Sequence, residues 1–216
     1  MKRLLGHCYL WLRGWKLAGQ KPSEAKYLIL AAPHTSNWDV PLMLSMAWIY
    51  GIRVRWIGKH TLFKWPLGPL MRWLGGVPVD RRARHNAVEQ MVDEFNRRDE
   101  LALLITPEGT RSRAEYWKSG FYHIARSANV PIVLGLLDFK NRVGGLFDVM
   151  HPTGDLKADM DRIRAFYHAD QAKFPADFGP VRLKEETPAA GAANLQADAR
   201  SADAVGTLGE TETAAD

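Results

Sequence analysis

The chain has 216 residues, of which 46 % are apolar, and a formal net charge of +5. That length and apolar share suit one sizeable domain and exclude disorder of the whole. The charge is uneven: Glu185 to Asp216 holds seven acidic residues and one basic, a net of −6, so residues 1–184 carry +11. So basic a body calls for an anionic partner: a phospholipid surface, nucleic acid or a phosphorylated substrate. The C-terminal stretch is rich in Ala, Gly, Thr and Asp, has no aromatic residue and reads as a disordered tail. The single cysteine, Cys8, excludes an internal disulfide and fits a reducing compartment.

The first segment, "MKRLLGHCYLWLRGWKLAG", has a basic start but neither the clean apolar block nor the cleavage site of a signal peptide. At about 100° per residue, Leu4, Cys8, Trp11, Leu12, Trp15 and Ala18 share one face, while Lys2, Arg13 and Lys16 fall opposite. Aromatics facing cations are the pattern of a helix lying in a membrane interface; packing on the domain's own core is the alternative. The expected organisation is therefore an amphipathic interface helix at 1–25, a folded domain at 26–184 and a tail at 185–216. The longest apolar run, Val40–Tyr50, is shorter than the roughly 20 residues that cross a bilayer.

The domain reads as strands alternating with helices. Tyr27–Ala32 is a buried strand, and Ser36 or Asn37 is placed to cap a helix through Tyr50, with Pro41 near its first turn. Val54–Gly58 and Val77–Val79 are further strands flanking a broken helix over Leu62–Leu74. Arg84–Arg97 is helical, Leu101–Thr106 a strand, Gly120–Ala128 a helix and Pro131–Phe139 a strand. "NRVGG" marks a turn, and Leu156–His168 is a last amphipathic helix. This alternation predicts an α/β fold with a largely parallel sheet and helices on both faces, preceded by the N-terminal helix.

Three constellations could carry chemistry. His34 and Asp39 would diverge by roughly 140° on one regular helix, so they meet only if His34 precedes the helix and Asp39 lies in its first turn. A carboxylate on one imidazole nitrogen fixes the tautomer and leaves the other free as a general base. The helix N-terminus meanwhile disfavours charge on the ring. Ordinary capping, with His34 incidental, is the alternative. In "LALLITPEGTRSR" an apolar strand ends in Glu108, Gly109, Thr110, Arg111, Ser112 and Arg113, at the sheet edge where open α/β folds bind ligands. There Gly109 permits close backbone approach, Thr110 and Ser112 offer hydroxyls, and Arg111 can hold a phosphate bidentately. Finally, Lys59, Arg81 and Arg82 leave two other strands; converging they form an anion site, scattered they are surface charge.

In order, a histidine, four residues and an aspartate at His34–Asp39, the glycine–arginine segment Gly76–Arg81, the E-G-T-R segment Glu108–Ser112 and the V-P-I strand Val130–Val133 resemble the glycerolipid, or lysophosphatidic acid type, acyltransferase family. The likeness spans about Leu28 to Leu137, with about 70 residues between the histidine and the E-G-T-R. It implies that His34 activates the acceptor hydroxyl with Asp39 in support, and that Arg111 with Lys59 grips the acceptor phosphate. Arg81, Glu108, Gly109 and Thr110 complete the substrate pocket in that reading. It further implies an acyl thioester donor, carried on coenzyme A or acyl carrier protein, a lysophospholipid acceptor with 1-acylglycerol-3-phosphate foremost, and no cofactor beyond these co-substrates.

No metal-ligand spacing and no nucleic-acid motif are present in the sequence, and a metal or a nucleic-acid partner is not expected. The enzyme is expected on the cytoplasmic face of a membrane, peripherally bound. Competing readings are an acyltransferase for another lysolipid such as an amino-acid-based lipid, a remodelling transacylase, and a non-enzymatic anion-binding module. Trp117, Phe121 and Tyr122 suit a core better than an acyl groove.

Overall fold

A computed structural model describes residues 1–79 and 84–186. Seven strands form one sheet in the order β1-β7-β6-β2-β5-β3-β4, with β1 at Lys16–Gly19, β2 at Lys26–Ala31, β3 at Val54–Lys59, β4 at Gly76–Val79, β5 at Leu101–Ile105, β6 at Ile132–Asp138 and β7 at Val143–Met150. The five strands β6, β2, β5, β3 and β4 run parallel to one another; β7 is antiparallel to β6, and β1 pairs parallel to β7. The central strand β2 reads "KYLILA"; after Lys26 it is apolar, and Tyr27–Leu30 are buried because both faces of the strand are covered. Tyr27 and Ile29 pack with Ala47, Val54 and Leu104 on one side. Leu28 and Leu30 join Phe95, Phe121, Ile132 and Ile163 in the larger core on the other.

Helix α2 (Asp39–Tyr50) covers the first face, while α4 (Arg84–Arg97), α5 (Gly120–Ser127) and α6 (Leu156–Phe166) belong to the second. The short α3 (Gly68–Trp73) and a 3₁₀ turn at His60–Phe63 replace the broken helix expected over Leu62–Leu74. The strand–helix alternation is as the sequence predicts.

The N-terminal segment differs from its expectation. Helix α1 spans Lys2–Leu12 and ends where Gly14 adopts φ +67, after which Lys16–Gly19 joins the sheet as its edge strand. Residues 1–25 are thus not a single interface helix. Trp15 is buried at 8 % exposure, edge-on to Phe139 at 4.9 Å, and Ala18 lies in β1, so neither belongs to the exposed stripe. Gly6 is what lets α1 lie on α2: a Cβ there would sit 2.6 Å from the Ser45 carbonyl oxygen. Leu10 then packs among Leu42, Met46 and Ile49.

Strand β7 also departs from the sequence reading, which saw only a turn at "NRVGG". The turn is confined to residues 139–142, where Asp138 accepts from the Asn141 main chain at 3.0 Å, and the glycines already lie in the strand. At the other end, Glu185 and Glu186 are part of a 3₁₀ turn and not of a tail. Glu186 accepts from the Leu183 main chain at 2.6 Å. The remainder of the expected tail, from Thr187, lies outside the described residues.

Candidate active site

The loop after β2 and the loop after β5 leave the same end of the sheet, because the two strands are parallel neighbours with Leu30 opposite Ile105. The first carries His34 into the start of α2, and the second carries Glu108–Ser112. Asp39 is the first residue of α2, so its side chain can reach back to the preceding loop. His34 Nδ1 lies 2.9 Å from Asp39 Oδ2, and that oxygen also accepts from the Ser36 main chain at 3.2 Å. Asp39 is 5 % exposed and the His34 side chain 21 %, so the carboxylate is enclosed while the ring stays reachable.

The expected capping is met differently. Neither Ser36 nor Asn37 caps α2; the N-cap position is Trp38, and Ser36 Oγ accepts from the Trp38 main chain at 3.1 Å, which closes the turn ahead of the helix.

A cleft of about 1820 Å³ opens at this end of the sheet. Its mouth holds His34, Asn37, Asp39 and the polar run Gly109–Ser112. Inward it becomes apolar, passing beneath α2 between Met43, Ala47 and Tyr50 on the helix and Ile29 and Leu104 on the sheet. Arg111 is exposed at the rim and makes no ion pair among the described residues. Gly109 has φ +67, a left-handed conformation that favours glycine, and the aliphatic stem of Lys118 lies beside it.

The sequence-derived site residues fall into three groups. His34, Asp39, Gly109, Thr110 and Arg111 gather at the cleft mouth. Glu108 does not line it: its side chain turns inward at 4 % exposure, and Oε1 accepts from the His34 main chain at 2.9 Å. Burial pushes its carboxyl up to about 7, against the opposing pull of the His34 N–H. Arg81 lies outside the described residues, as does the side chain of Lys59, which ends β3. Arg113, in the same loop, is committed elsewhere and donates to the Phe178 carbonyl at 2.7 Å.

Several contributors carry no clear mark in the sequence. Lys118 lines the mouth and is held there by its main chain, which donates to Pro107 at 2.7 Å. The segment Val181–Glu186 returns to the cleft, where Trp117 donates to Arg182 at 2.8 Å and Ser119 Oγ to Glu185 at 2.6 Å. Tyr167, whose OH donates to the Leu30 carbonyl at 2.7 Å, locks the floor behind β2. A lone lysine, a six-residue return and a helix-end tyrosine give no pattern in isolation. Trp117, Phe121 and Tyr122 are core residues at 1–2 % exposure, and Trp117 and Phe121 also form part of the cleft wall. Among the described residues, no three His, Cys, Asp or Glu side chains gather into a metal-binding group.

No curated protein gives a significant match to the chain. Among solved structures, the fold is similar to that of the 1-acyl-sn-glycerophosphate (LPA) acyltransferase PlsC from Thermotoga maritima. The TM-score is 0.54 and the identity 18 %, over 75 % of this chain and 74 % of that one. Residues 16–133 match the family model described as Acyltransferase, a span that begins with β1 and includes His34, Asp39 and Glu108–Ser112. That match takes in more than half of the chain, which belongs to the acyltransferase family.

Proposed function

We propose that the chain moves a fatty acyl group from a thioester donor to the free hydroxyl of a lysophospholipid, foremost 1-acylglycerol-3-phosphate, giving phosphatidic acid. The observation that carries this reading is the His34–Asp39 pair, 2.9 Å apart at the mouth of a cleft whose interior is apolar and whose rim bears Arg111. With Nδ1 donating to Asp39, the Nε2 lone pair takes the proton of the acceptor hydroxyl as its oxygen attacks the thioester carbonyl carbon. The tetrahedral adduct collapses with cleavage of the C–S bond, and the imidazolium returns the proton to the departing thiolate. The donor is acyl coenzyme A or acyl carrier protein, and the reaction needs no other cofactor. The apolar interior suits an acyl chain, and Arg111 with Thr110 suits the acceptor phosphate. Lys59 and Arg81 leave neighbouring strands and are assigned to the same phosphate.

The site works at a membrane surface, on the cytoplasmic face where acyl thioesters are made. Support comes from an exposed apolar face: Leu4 and Trp11 of α1 are 74 % and 78 % exposed, and Trp65 ahead of α3 and Trp73 at its end are 88 % and 60 %. Lys2 Nζ sits 4.4 Å from the Trp73 ring centroid, which brings α1 and α3 together, and Arg13 lies over Trp38 next to the catalytic helix. Aromatics bordered by cations fit an anionic lipid surface. None of the described helices is long and apolar enough to cross a membrane.

The test is lipid analysis of the products formed by purified protein from mixed acyl thioesters and a panel of lysolipids. Phosphatidic acid from lysophosphatidic acid, with slower turnover of monoacylglycerol, supports the reading. Preference for a neutral or amino-acid-based acceptor would replace the acceptor assignment and leave acyl transfer standing.

A further inference from the structure

We propose that Glu108 is a positioning residue that holds His34 through its main chain, so that the base is fixed at two points by two carboxylates. Asp39 fixes the imidazole through Nδ1, and Glu108 Oε1 fixes the peptide through the His34 N–H, both at 2.9 Å. Each contact is needed for a different reason. The Asp39 bond sets the tautomer and the ring plane, but the ring swings on a loop that has just left β2. The residue before His34 is Pro33, which has no N–H, so the His34 N–H is the donor with which this crossing can be tied to its neighbour.

Glu108 supplies that tie from 74 residues away, out of the loop following the adjacent parallel strand. Its side chain is 4 % exposed and absent from the cleft wall, while its neighbours Gly109, Thr110 and Arg111 line that wall. Contact with the acceptor therefore falls to those neighbours, and Glu108 acts behind His34. The groups that face its carboxyl are His34, Asp39 and the Tyr167 hydroxyl; its second oxygen is buried and has no hydrogen-bond partner among the described residues. A base must hold its place to within about 0.5 Å, and a displacement of about 1 Å can cost on the order of a hundredfold in rate. A short bond to the peptide of the base supplies that constraint.

The kinetic part of the test rests on the acyl-transfer reading above, and the exchange part does not. Glu108→Gln, Glu108→Asp and Glu108→Ala are made in the full chain. Glutamine keeps an oxygen at the right reach, whereas aspartate and alanine fall short of the His34 N–H. Amide hydrogen exchange at His34, followed by NMR, should stay slow in the parent and the glutamine variant and become fast in the other two. With an acyl thioester and lysophosphatidic acid, Glu108→Gln should keep kcat within about threefold. Glu108→Asp and Glu108→Ala should lose roughly ten- to a hundredfold in kcat with little change in acceptor KM. If alanine prevents folding, the glutamine–aspartate pair carries the same comparison. Unchanged exchange at His34 in the short variants would overturn the proposal. So would a glutamine variant as slow as the short ones, or a loss that appears in acceptor KM alone, which would make Glu108 a substrate contact.

Discussion

The buried carboxyl of Glu108 should make the stability of the whole domain depend on pH in a direction opposite to that of a salt-bridged acid. Its pKa is raised from the ordinary 4.5 to about 7 in the folded chain, chiefly by burial. In the unfolded chain it titrates near its ordinary value, so between pH 4.5 and 7 the folded state binds the proton that the unfolded state has released. Stability from this group is therefore fully present below pH 4.5 and is lost as pH rises through 7. The difference between the two values corresponds to about 3 kcal/mol, on a side chain shielded from solvent. Glu108→Gln removes the titration and keeps an oxygen to accept from the His34 N–H.

The assay is thermal unfolding of parent and Glu108→Gln side by side from pH 4.5 to 8. The amide NH2 of glutamine carries its own burial cost, but that cost is constant with pH and cancels from the trend. For a chain of this size about 1 kcal/mol moves Tm by roughly 2–4 °C, so the Tm of the variant relative to the parent should rise by roughly 6–12 °C across that range. A Tm difference that stays flat with pH would refute the reasoning, since it would mean that Glu108 ionises as readily folded as unfolded.

His34→Ala should lower kcat by about 10²–10⁴-fold without loss of Tm, because a partly exposed base is removed and no core group; Asp39→Asn should lower kcat through loss of tautomer control. Arg111→Ala should cost roughly ten- to a hundredfold in kcat/KM with lysophosphatidic acid, the worth of one charge-assisted contact of about 1.5–3 kcal/mol, and far less with monoacylglycerol. Arg111→Lys should recover only part of that loss, since an ammonium cannot make a two-pronged contact. Co-sedimentation with anionic vesicles should fall by about tenfold or more when Trp11, Trp65 and Trp73 are replaced together by Ser, with turnover of a short-chain soluble acceptor kept.

The fold was legible where periodicity and length agree. The run "YLILAA", six residues closed by Pro33, has the length of a buried strand, and "RHNAVEQMVDEFNR" has the helical stripe of α4. Two strands escaped because nothing local marks them. "KLAG" is four residues long and extends the stripe of α1 on paper, and only Gly14 in the left-handed conformation separates the two. "VGGLFDVM" opens with glycines that signal a turn, yet they serve close approach: a Cβ on Gly145 would lie 1.7 Å from the Ala18 carbonyl oxygen. The His34–Asp39 spacing was legible as a possibility and needed the loop before α2 to be realised. The inward turn of Glu108 was not, because a glutamate in a Gly-Thr-Arg loop looks like one more polar group facing solvent or ligand. Which way it points is decided by the register of β2 against β5, a long-range fact.

That register also explains how two carboxylates serve one histidine without being equivalent. Asp39 begins a helix, and its Oδ2 accepts from the Ser36 main chain and faces the ring. Glu108 has no helix behind it and receives one N–H, so the cost of burial prevails and the carboxyl is pushed up to about 7. The acid with the better support sits against the imidazole, where an anion is needed to fix the tautomer and to balance the imidazolium formed during transfer. The acid with the poorer support sits against a peptide N–H, which a carboxyl oxygen can accept from in either protonation state. Protonation of Glu108 therefore leaves the anchor of His34 in place.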